Sequence, residues 1–518
     1  MVQYDLGDTA THFMGAIVSV PARSVPVGVS KFLIIDGQQR LTTVSLLLCA
    51  LRDSLDSNSA ARIQEVYMTN KFREPEDTLK FVPTQADRDI FQKIALDKQI
   101  PEDGSLMTEA YKFFKKQVLS GFDANGEAVI PSKVLTTIEH CLQVVMINLG
   151  DTDDPYLIFE SLNFKGEPLT QADLVRNYLL MRFRHSISTG GEQERVYSKY
   201  WRPMEKLLGA NLTEYLRHYA MKEGEDIKQG GIYAATKARL KNLTTSESVE
   251  VEMGQMLKFG EIYSRILRPE LEKIESTRKR LNNIQELEVT TSYPLLLRLF
   301  ESFQTCKLNE TELNKCLWLV ESFVVRRTVC GVPTNALNKL FLQWTRNFPA
   351  TNHVAWLFKS MVDGDRGRRF PDDSEFSEAF KNQRQYGRGA TRFILCNLEM
   401  SFEHKEPVDL TTTTIEHILP QTLTDDWKSE LGQDADIMYT KFLDTFGNLT
   451  LTAYNTELGN LPFATKKEKL ANTHIELNRW ILEQANWREA EIMNRAETLF
   501  KKAKDLWIGP ANPFAEFV

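Results

Sequence analysis

Apolar residues occur in short blocks along the first part of the chain, and these blocks predict strands mixed with helices. The run Phe32–Ile35 is apolar throughout and predicts a buried strand. An Asp-Gly turn follows it, and Leu41–Arg52 then repeats apolar residues at helical spacing. Val144–Leu149 predicts another strand, and Tyr156–Leu162 has a helical pattern. We therefore expect an α/β domain over residues 1–185.

From about residue 190 to 400 the pattern is helical almost throughout, with breaks at glycine or proline, which predicts a helical domain over 186–404. The character changes after Pro407. Two β-branched runs, Thr411–Ile415 and Leu449–Thr452, predict strands, and a helix is expected from Lys466 to Ala471. These elements suggest a third domain over 405–518. The expected fold class is α+β, predominantly α-helical.

Length and composition agree with a multidomain globular protein. The chain has 518 residues, of which 42% are hydrophobic and 26% charged, and it has no apolar run long enough to cross a membrane. Its N-terminus lacks the basic and apolar regions of a secretion signal. Six cysteines are widely spaced without a C-x-x-C pair, which argues against a zinc ribbon or a disulfide framework. We expect a cytoplasmic protein without a membrane partner.

Charge limits how the chain could bind nucleic acid. The formal net charge is −7, which argues against coating DNA through bulk positive charge. Residues 411–518 carry 11 Lys and Arg against 16 Asp and Glu. Binding of DNA in a local groove remains compatible with this net charge. The last domain could not hold DNA by its net charge alone, so other regions of the chain would have to contribute to binding.

The most informative segment is T-I-E-H-I-L-P-Q, which contains Glu416 and His417 at the end of a predicted strand. The second strand is preceded by Asn448, and Asn455 lies near the start of the next helix. A carboxylate and an amide oxygen would suit a hard cation such as Mg²⁺ while leaving positions for water and phosphate. A neutral His417 could take the proton of the attacking water, and Asn448 could hold the histidine loop across the hairpin.

Two features leave this interpretation open. Neighbouring residues of an ideal strand point to opposite sides, so a twist or bulge would have to bring Glu416 and His417 toward one phosphate. The simpler alternative is that His417 caps a strand and that the asparagines only form turns.

The motifs E-H-I-L-P-Q, F-G-N-L-T-L and N-x-x-x-x-N-x-x-F-x-x-K resemble those of HNH, or His-metal finger, nucleases. More closely, they resemble the nuclease domain of GmrSD-type modification-dependent (type IV) restriction enzymes. The resemblance implies a ββα-metal fold and a divalent cation. Mg²⁺ or Mn²⁺ is expected, and another divalent cation is left open. The implied catalytic residues are His417 as general base, Asn448 and Lys466. The implied metal ligands are Glu416, Asn455 and Asn460, where the two asparagines could exchange roles.

A second polar segment, Asp36-Gly37-Gln38-Gln39-Arg40, lies between the first predicted strand and helix. Such a junction presents backbone N–H groups and the positive end of a helix dipole, which suit a phosphate. Arg40 could add a bidentate contact. An Asp-Gly sequence is also an ordinary turn, and that alternative stays open.

This segment, together with H-F-M-G-A-I and the run F-E-S-L-N-F-K-G-E-P-L-T-Q-A-D-L-V-R-N over 159–177, resembles the ParB-like N-terminal domain of the same enzymes. The resemblance implies nucleotide (NTP) binding or hydrolysis at Asp36–Arg40 and sensing of modified DNA. Second-tier candidates are Asn163, Lys165, Asp173, Arg176 and Asn177. Asp173 and Arg176 could equally form an exposed ion pair. An aromatic-Gln-Arg segment that usually precedes G-A-I in the family is missing, which suggests an N-terminal truncation or an incomplete sensor pocket.

The helical region carries basic clusters that could follow a DNA backbone, with an aromatic ring stacking on a base. Such clusters are also common as solvated surfaces. The residues are Arg326, Arg327, Arg384, Tyr386, Arg388 and Arg392.

Together these features predict a metal-dependent, modification-dependent DNA endonuclease in anti-phage defence. Double-stranded phage DNA would be the partner, marked by a sugar on hydroxymethylcytosine or by the backbone phosphorothioates that related SspE proteins read. A homodimer is left open. One alternative is an NTP-hydrolysing switch with an inactive nuclease domain, and another is a DNA-binding regulator.

Overall fold

This computed structural model describes residues 4–5, 11–21, 30–71, 78–83, 85–102, 104–149, 170–183, 191–402, 404 and 408–511. The chain divides into two compact units. Unit 1 comprises residues 1–170 and 177–197, and unit 2 comprises residues 171–176 and 198–518. The three predicted domains, 1–185, 186–404 and 405–518, stay a prediction.

Unit 1 contains a three-stranded sheet rich in β-branched and aromatic residues. Its strands are β1 (His12–Pro21), β2 (Phe32–Asp36) and β3 (Leu142–Asn148). The central strand β1 is antiparallel to β2 and parallel to β3. Val18 of β1 lies opposite Asp36, so the sheet holds the end of β2 against the interior of β1.

The helix after β2 begins earlier than the sequence predicts, at Gln38 instead of Leu41. Gly37 takes the position before the helix with a φ of 97°, a left-handed conformation that favours glycine. The polar residues after Gly37 therefore form the first helical turn. The helices up to residue 196 are α1 (Gln38–Arg52), α2 (Ser57–Ile63), α3 (Gln85–Ala95), α4 (Leu106–Ser120), α5 (Pro131–Cys141), α6 (Gln171–Leu180) and α7 (Glu192–Val196).

Unit 2 begins with a long array of helices, as the sequence predicts. Burial of apolar faces stabilises such an array more than helix propensity does. The helices are α8 (Arg202–Leu208), α9 (Leu212–Met221), α10 (Ile232–Leu240), α11 (Ser246–Leu267), α12 (Glu275–Glu286), α13 (Tyr293–Gln304), α14 (Glu310–Val329), α15 (Leu337–Arg346), α16 (His353–Val362), α17 (Asp373–Asn382) and α18 (Thr391–Met400).

The last part of unit 2 is a two-stranded hairpin surrounded by short helices. Its strands, β4 (Thr414–His417) and β5 (Leu449–Thr452), are antiparallel. The strand predicted at Thr411 begins later because the Asp409 carboxylate accepts hydrogen bonds from the backbone and hydroxyl of Thr411, which form a turn. The helices are α19 (Asp425–Leu431), α20 (Ala435–Phe442), α21 (Asn455–Leu458), α22 (Phe463–Leu470), α23 (Glu476–Leu482) and α24 (Glu489–Leu506).

One hydrophobic core joins the helical array to the hairpin. It contains Val325 of α14, Phe380 of α17, Leu395 of α18, Leu451 of β5 and Phe500 of α24, all fully buried or nearly so. The Phe380 ring stacks on Phe446, just before β5, with centroids 4.4 Å apart. The array and the hairpin are therefore packed as parts of one unit.

The predicted fold class, α+β and predominantly α-helical, is confirmed. Among the residues that the structure describes, none of the helices has both the length and the apolar composition needed to cross a bilayer.

Candidate functional site

Two titratable residues occupy adjacent positions at the end of β4. Glu416 pairs with Thr450 and His417 with Leu449 in the hairpin register. Both residues are buried, with 4% and 5% of their surface exposed. Glu416 contacts α22, whereas His417 contacts residues before β5 and in the segment between α17 and α18. The two side chains thus have different neighbours, as adjacent strand positions require.

Glu416 forms a buried ion pair with Lys466 of α22. The Lys466 Nζ donates to Glu416 Oε1 at 2.6 Å and to the His417 carbonyl oxygen at 2.7 Å. Burial raises the pKa of Glu416 and lowers the pKa of Lys466, and the charge of each partner opposes the shift of the other. The pair ties the end of β4 to α22.

His417 is held by a carboxylate and an aromatic ring. Its Nε2 lies 3.1 Å from Asp444 Oδ1, and the Tyr386 ring packs edge-on against the imidazole with centroids 4.4 Å apart. Burial lowers the pKa of His417, the nearby Lys466 charge adds to this, and Asp444 opposes it. The imidazole is therefore favoured in its neutral form, which can accept a proton.

Asn448 makes the cross-hairpin hydrogen bonds that its position predicts. Its Oδ1 accepts from the Leu419 N–H at 2.7 Å, and its Nδ2 donates to the Leu419 carbonyl at 2.9 Å. Trp487 Nε1 also donates to Asn448 Oδ1. Asn448 is fully buried, so it fixes the loop that follows His417.

Arg495 of α24 stabilises the same turn through hydrogen bonds to its backbone. Its guanidinium donates to the carbonyls of Phe446, Gly447 and Leu449 at 2.7–3.0 Å. Burial lowers its pKa to about 9. Gly447 is required here because a Cβ at this position would overlap the Ile492 carbonyl of α24. The F-G-N-L sequence is thus explained by close approach of the turn to α24.

The two candidate ligand asparagines differ in position. Asn455, at the start of α21, donates from Nδ2 to Thr414 Oγ1 at 3.1 Å and to the Ile415 carbonyl at 3.0 Å. It is therefore attached to β4, the strand that carries Glu416. Asn460 is exposed on the following turn. Among the described residues, no group of three or more His, Cys, Asp and Glu side chains is arranged to hold a metal.

Three basic residues, Arg384 and Arg388 between α17 and α18 and Arg392 in the first turn of α18, have different partners. Arg384 is mostly exposed, and its Nε lies 3.1 Å from Asp444 Oδ2. Arg388 donates to the carbonyls of Thr328 and Val329, and Arg392 to those of Leu410 and Thr413. Their predicted role in DNA binding stays a prediction, for which Arg384 has the most accessible side chain.

For Arg326 and Arg327 the expectation of DNA contact is wrong. Both side chains of α14 are buried, with at most 2% of the residue exposed. Arg326 donates to Asp373 and to the Trp507 carbonyl, and Arg327 donates to three backbone carbonyls. They stabilise the packing of unit 2, because a buried guanidinium needs such partners.

In unit 1, the predicted loop Asp36–Arg40 forms the junction of β2 and α1. Arg40 donates to the Ala16 carbonyl and lies 3.5 Å from Asp36 Oδ2. Gly15, with a φ of 107°, has no side chain where the Arg40 guanidinium packs, and a Cβ there would lie 3.2 Å from its central carbon. Gln38 Nε2 donates to the Ile34 carbonyl at 2.8 Å. Arg40 therefore points back toward β1, and Gln39 is exposed.

The second-tier candidates give little further support. Asn163 and Lys165, and the helix predicted at Tyr156–Leu162, lie outside the described residues. Arg176 of α6 pairs with Asp173 at 3.0 Å and lies 3.4 Å from Glu205. The ion-pair alternative for these residues is thus present in the structure. Asn177 lies in the same helix and accepts a backbone hydrogen bond from Met181.

Asp444 was not predicted from the sequence. This residue lies two positions after α20 and four before Asn448. The only signal was an acidic residue close to F-G-N-L-T-L, and nothing in the pattern showed that the turn would bring it to His417.

Two family models match the chain. The model of the GmrSD restriction endonuclease N-terminal domain matches residues 4–180, and the model of the C-terminal domain of GmrSD restriction endonucleases matches residues 370–502. The C-terminal match includes Tyr386 as well as the hairpin, so both sides of the His417 environment lie within it. A search of curated proteins gives no match.

Proposed function

The chain belongs to the GmrSD restriction endonucleases and is a DNA endonuclease, and from this premise we propose that it cuts modified DNA at an HNH-type, metal-dependent site in unit 2. The observation that carries the proposal is the end of β4, where Glu416 and His417 occupy adjacent positions and are both buried and hydrogen-bonded. Asn448 and Lys466 fix the backbone around them. A phosphate would have to lie at the strand end to meet both groups, and groups that are fixed in advance in this way suit hydrolysis of a phosphodiester.

The donor chemistry fits Mg²⁺ or Mn²⁺, which prefer oxygen ligands. Glu416 supplies a carboxylate and Asn455, attached to the same strand, supplies an amide oxygen; Asn460 is the alternative amide. Glu416 Oε1 already accepts from Lys466, so a cation would share the carboxylate with this ammonium group or displace it. When bound, the metal would polarise the phosphate and stabilise the charge of the leaving oxygen.

In this proposal His417 is the general base. A neutral imidazole beside the scissile phosphate takes the proton of a water molecule, whose oxygen attacks phosphorus. Asn448 keeps the strand end in place without touching the substrate. Lys466 balances the charge of Glu416 and holds the His417 carbonyl.

Unit 1 would sense the nucleotide and the DNA modification. The support is the start of α1, where the residue at the N-cap position, Gly37, has no side chain to cap the N–H groups of the first turn. Arg40 would have to leave the Ala16 carbonyl to contact a phosphate, or else keep the junction in shape. Sugar-modified or phosphorothioated phage DNA are the proposed substrates.

The test uses the full chain with Mg²⁺ or Mn²⁺, with and without an NTP. The substrates are unmodified plasmid, glucosylated phage DNA and phosphorothioated DNA. His417→Ala should lower the cleavage rate by about 10²–10⁴-fold, and chelation of the metal should abolish cleavage. His474→Ala is the matched control, since His474 is an exposed histidine of the same unit, and it should leave the rate unchanged.

Other outcomes distinguish the alternatives. Equal cleavage by the wild-type protein and His417→Ala would exclude His417 as the base. If the protein cut none of the DNAs but hydrolysed a nucleotide, and if Arg40→Ala abolished that hydrolysis, the NTP-driven switch would be favoured. Tight binding of modified DNA without either reaction would favour a regulator.

A further inference from the structure

Asp444 lies beside His417 and has no role in the reaction outlined so far. We propose that Asp444 is a positioning residue that fixes the tautomer of His417, so that Nδ1 is the atom that receives the proton of the attacking water. This inference rests on the proposed nuclease function.

The hydrogen-bond geometry carries the argument. The Asp444 Oδ1 lies 3.1 Å from His417 Nε2. A carboxylate can only accept, so Nε2 must carry the hydrogen. A neutral imidazole protonated at Nε2 has its lone pair on Nδ1, and no hydrogen bond from the described residues reaches that nitrogen. Nδ1 is therefore the basic atom of the ring.

Asp444 is itself held in place. Its backbone carbonyl accepts from the N–H groups of Gln385 and Tyr386 at 2.8 and 3.1 Å. Its other carboxylate oxygen, Oδ2, lies 3.1 Å from Arg384 Nε. The segment that fixes Asp444 also supplies the Tyr386 ring, which packs edge-on against the imidazole. Hence one short segment sets both the partner of Nε2 and the plane of the ring.

The arrangement also accounts for the proton during the reaction. Water gives its proton to Nδ1, its oxygen forms the new bond to phosphorus, and the bond from phosphorus to the leaving sugar oxygen breaks. The leaving oxygen takes a proton from solvent. His417 is then a cation, and its Nε2–H donates to the Asp444 carboxylate, which stabilises that charge.

The direct test is a nitrogen NMR spectrum of the full chain labelled with ¹⁵N in its histidine imidazoles. The His417 signals are identified by their absence in His417→Ala. At about pH 8, well above the ordinary histidine pKa of about 6.5, the wild-type protein should show a protonated, pyrrole-type Nε2 and a pyridine-type Nδ1. In Asp444→Ala both signals should move toward the average of the two tautomers. Asp436→Ala is the matched control, because Asp436 is an exposed aspartate of α20, and it should leave both signals unchanged.

Kinetics supply the second readout. Asp444→Ala should lower kcat by about 10–100-fold, a loss of the size seen when partners that orient metal-bound histidines are removed, with KM unchanged. Asp444→Asn keeps the shape of the side chain and should give a smaller change in both readouts, which guards against misfolding of the alanine variant.

An unchanged tautomer in both Asp444 variants, or a wild-type ring protonated at Nδ1, would overturn the inference. If His417→Ala cuts DNA as fast as the wild-type protein, the proposed function fails instead. The NMR result distinguishes these two failures, because it does not depend on cleavage.

Discussion

The two candidate sites of this chain differ in how firmly their polar residues are held. In unit 2, the side chains of Glu416, His417 and Lys466 are at most 7% exposed and Asn448 is fully buried, and each has hydrogen-bond partners at 2.6–3.1 Å. In unit 1 the Asp36 and Arg40 side chains are 18% and 34% exposed, and their only mutual contact is 3.5 Å long. The first site is part of the buried interior of unit 2, whereas the second is partly exposed within unit 1.

This difference is informative about function. A buried and hydrogen-bonded site costs little reorganisation when the reaction begins, which favours catalysis. A half-exposed junction can rearrange around a ligand, which favours sensing. We therefore expect substitutions of the unit 2 residues to destabilise the fold strongly and substitutions of the unit 1 residues to destabilise it little.

The largest effect is expected for Lys466→Met. This change leaves Glu416 buried without its ion-pair partner, so the free energy of unfolding should fall by about 3–5 kcal/mol. Denaturant titration of the full chain measures the change. The double variant Glu416→Gln with Lys466→Met removes the isolated charge and should recover most of the lost stability, although not the cleavage activity.

If Lys466→Met alone proved as stable as the wild-type protein, the ion pair would not be part of the core. Glu416 would then take up a proton or reach solvent in the variant. In that case the contrast between the two sites would be weaker than the burial indicates.

Acidification should lower the stability of unit 2 at a higher pH than that of unit 1, with a somewhat smaller loss of unfolding free energy than for Lys466→Met. His218 of α9 is buried and hydrogen-bonds Tyr263 through Nδ1. Burial lowers its pKa from 6.5 to about 4; Glu214, next to Nε2, opposes this shift, and Arg217, on the same side, adds to it. The unfolded chain therefore binds more protons than the folded chain between these pH values, and the stability of unit 2 should fall as pH decreases from about 6.5 to 4.

The expected loss is about 3 kcal/mol over that interval. His218→Gln should remove most of this pH dependence in denaturant titrations, even though it lowers stability at neutral pH. The comparable buried cluster of unit 1 behaves differently. Burial of Asp53 is outweighed by hydrogen bonds from Arg52 and Tyr111, which hold its pKa below the ordinary value, so its contribution is lost only at still lower pH. An unchanged slope in His218→Gln would show that other groups dominate.

The sequence predicts the elements that depend on local patterns, but it does not predict the contacts that depend on tertiary packing. Local patterns were sufficient for β2, β5 and the helical array, since apolar spacing determines such elements. The motif also selected Glu416, His417 and Asn448 as candidates, and their functional roles stay predictions. Asp444 and Tyr386 could not be predicted as partners of His417, because their proximity depends on tertiary packing of the turn before β5 against the segment before α18.

The burial of Arg326 and Arg327 was missed for a related reason. Charged residues are seldom fully buried, and the carbonyls that satisfy these two come from distant parts of the chain. A basic pair in a helix is therefore ambiguous until the partners of its guanidinium groups are known.

The smallest effect is expected in unit 1, for Arg40→Ala. The side chain is partly exposed, and it loses a hydrogen bond to Ala16 and a long ion pair, so the free energy of unfolding should decrease by only about 1 kcal/mol. Arg62→Ala is the matched control, since Arg62 is 61% exposed and pairs with Glu139 at 3.0 Å, and it should cost less than about 0.5 kcal/mol. A loss for Arg40→Ala as large as that for Lys466→Met would mean that the unit 1 junction is as rigid as the unit 2 site. A nucleotide would then have to bind there without moving Arg40, because the contact with Ala16 would be too strong to exchange for a phosphate.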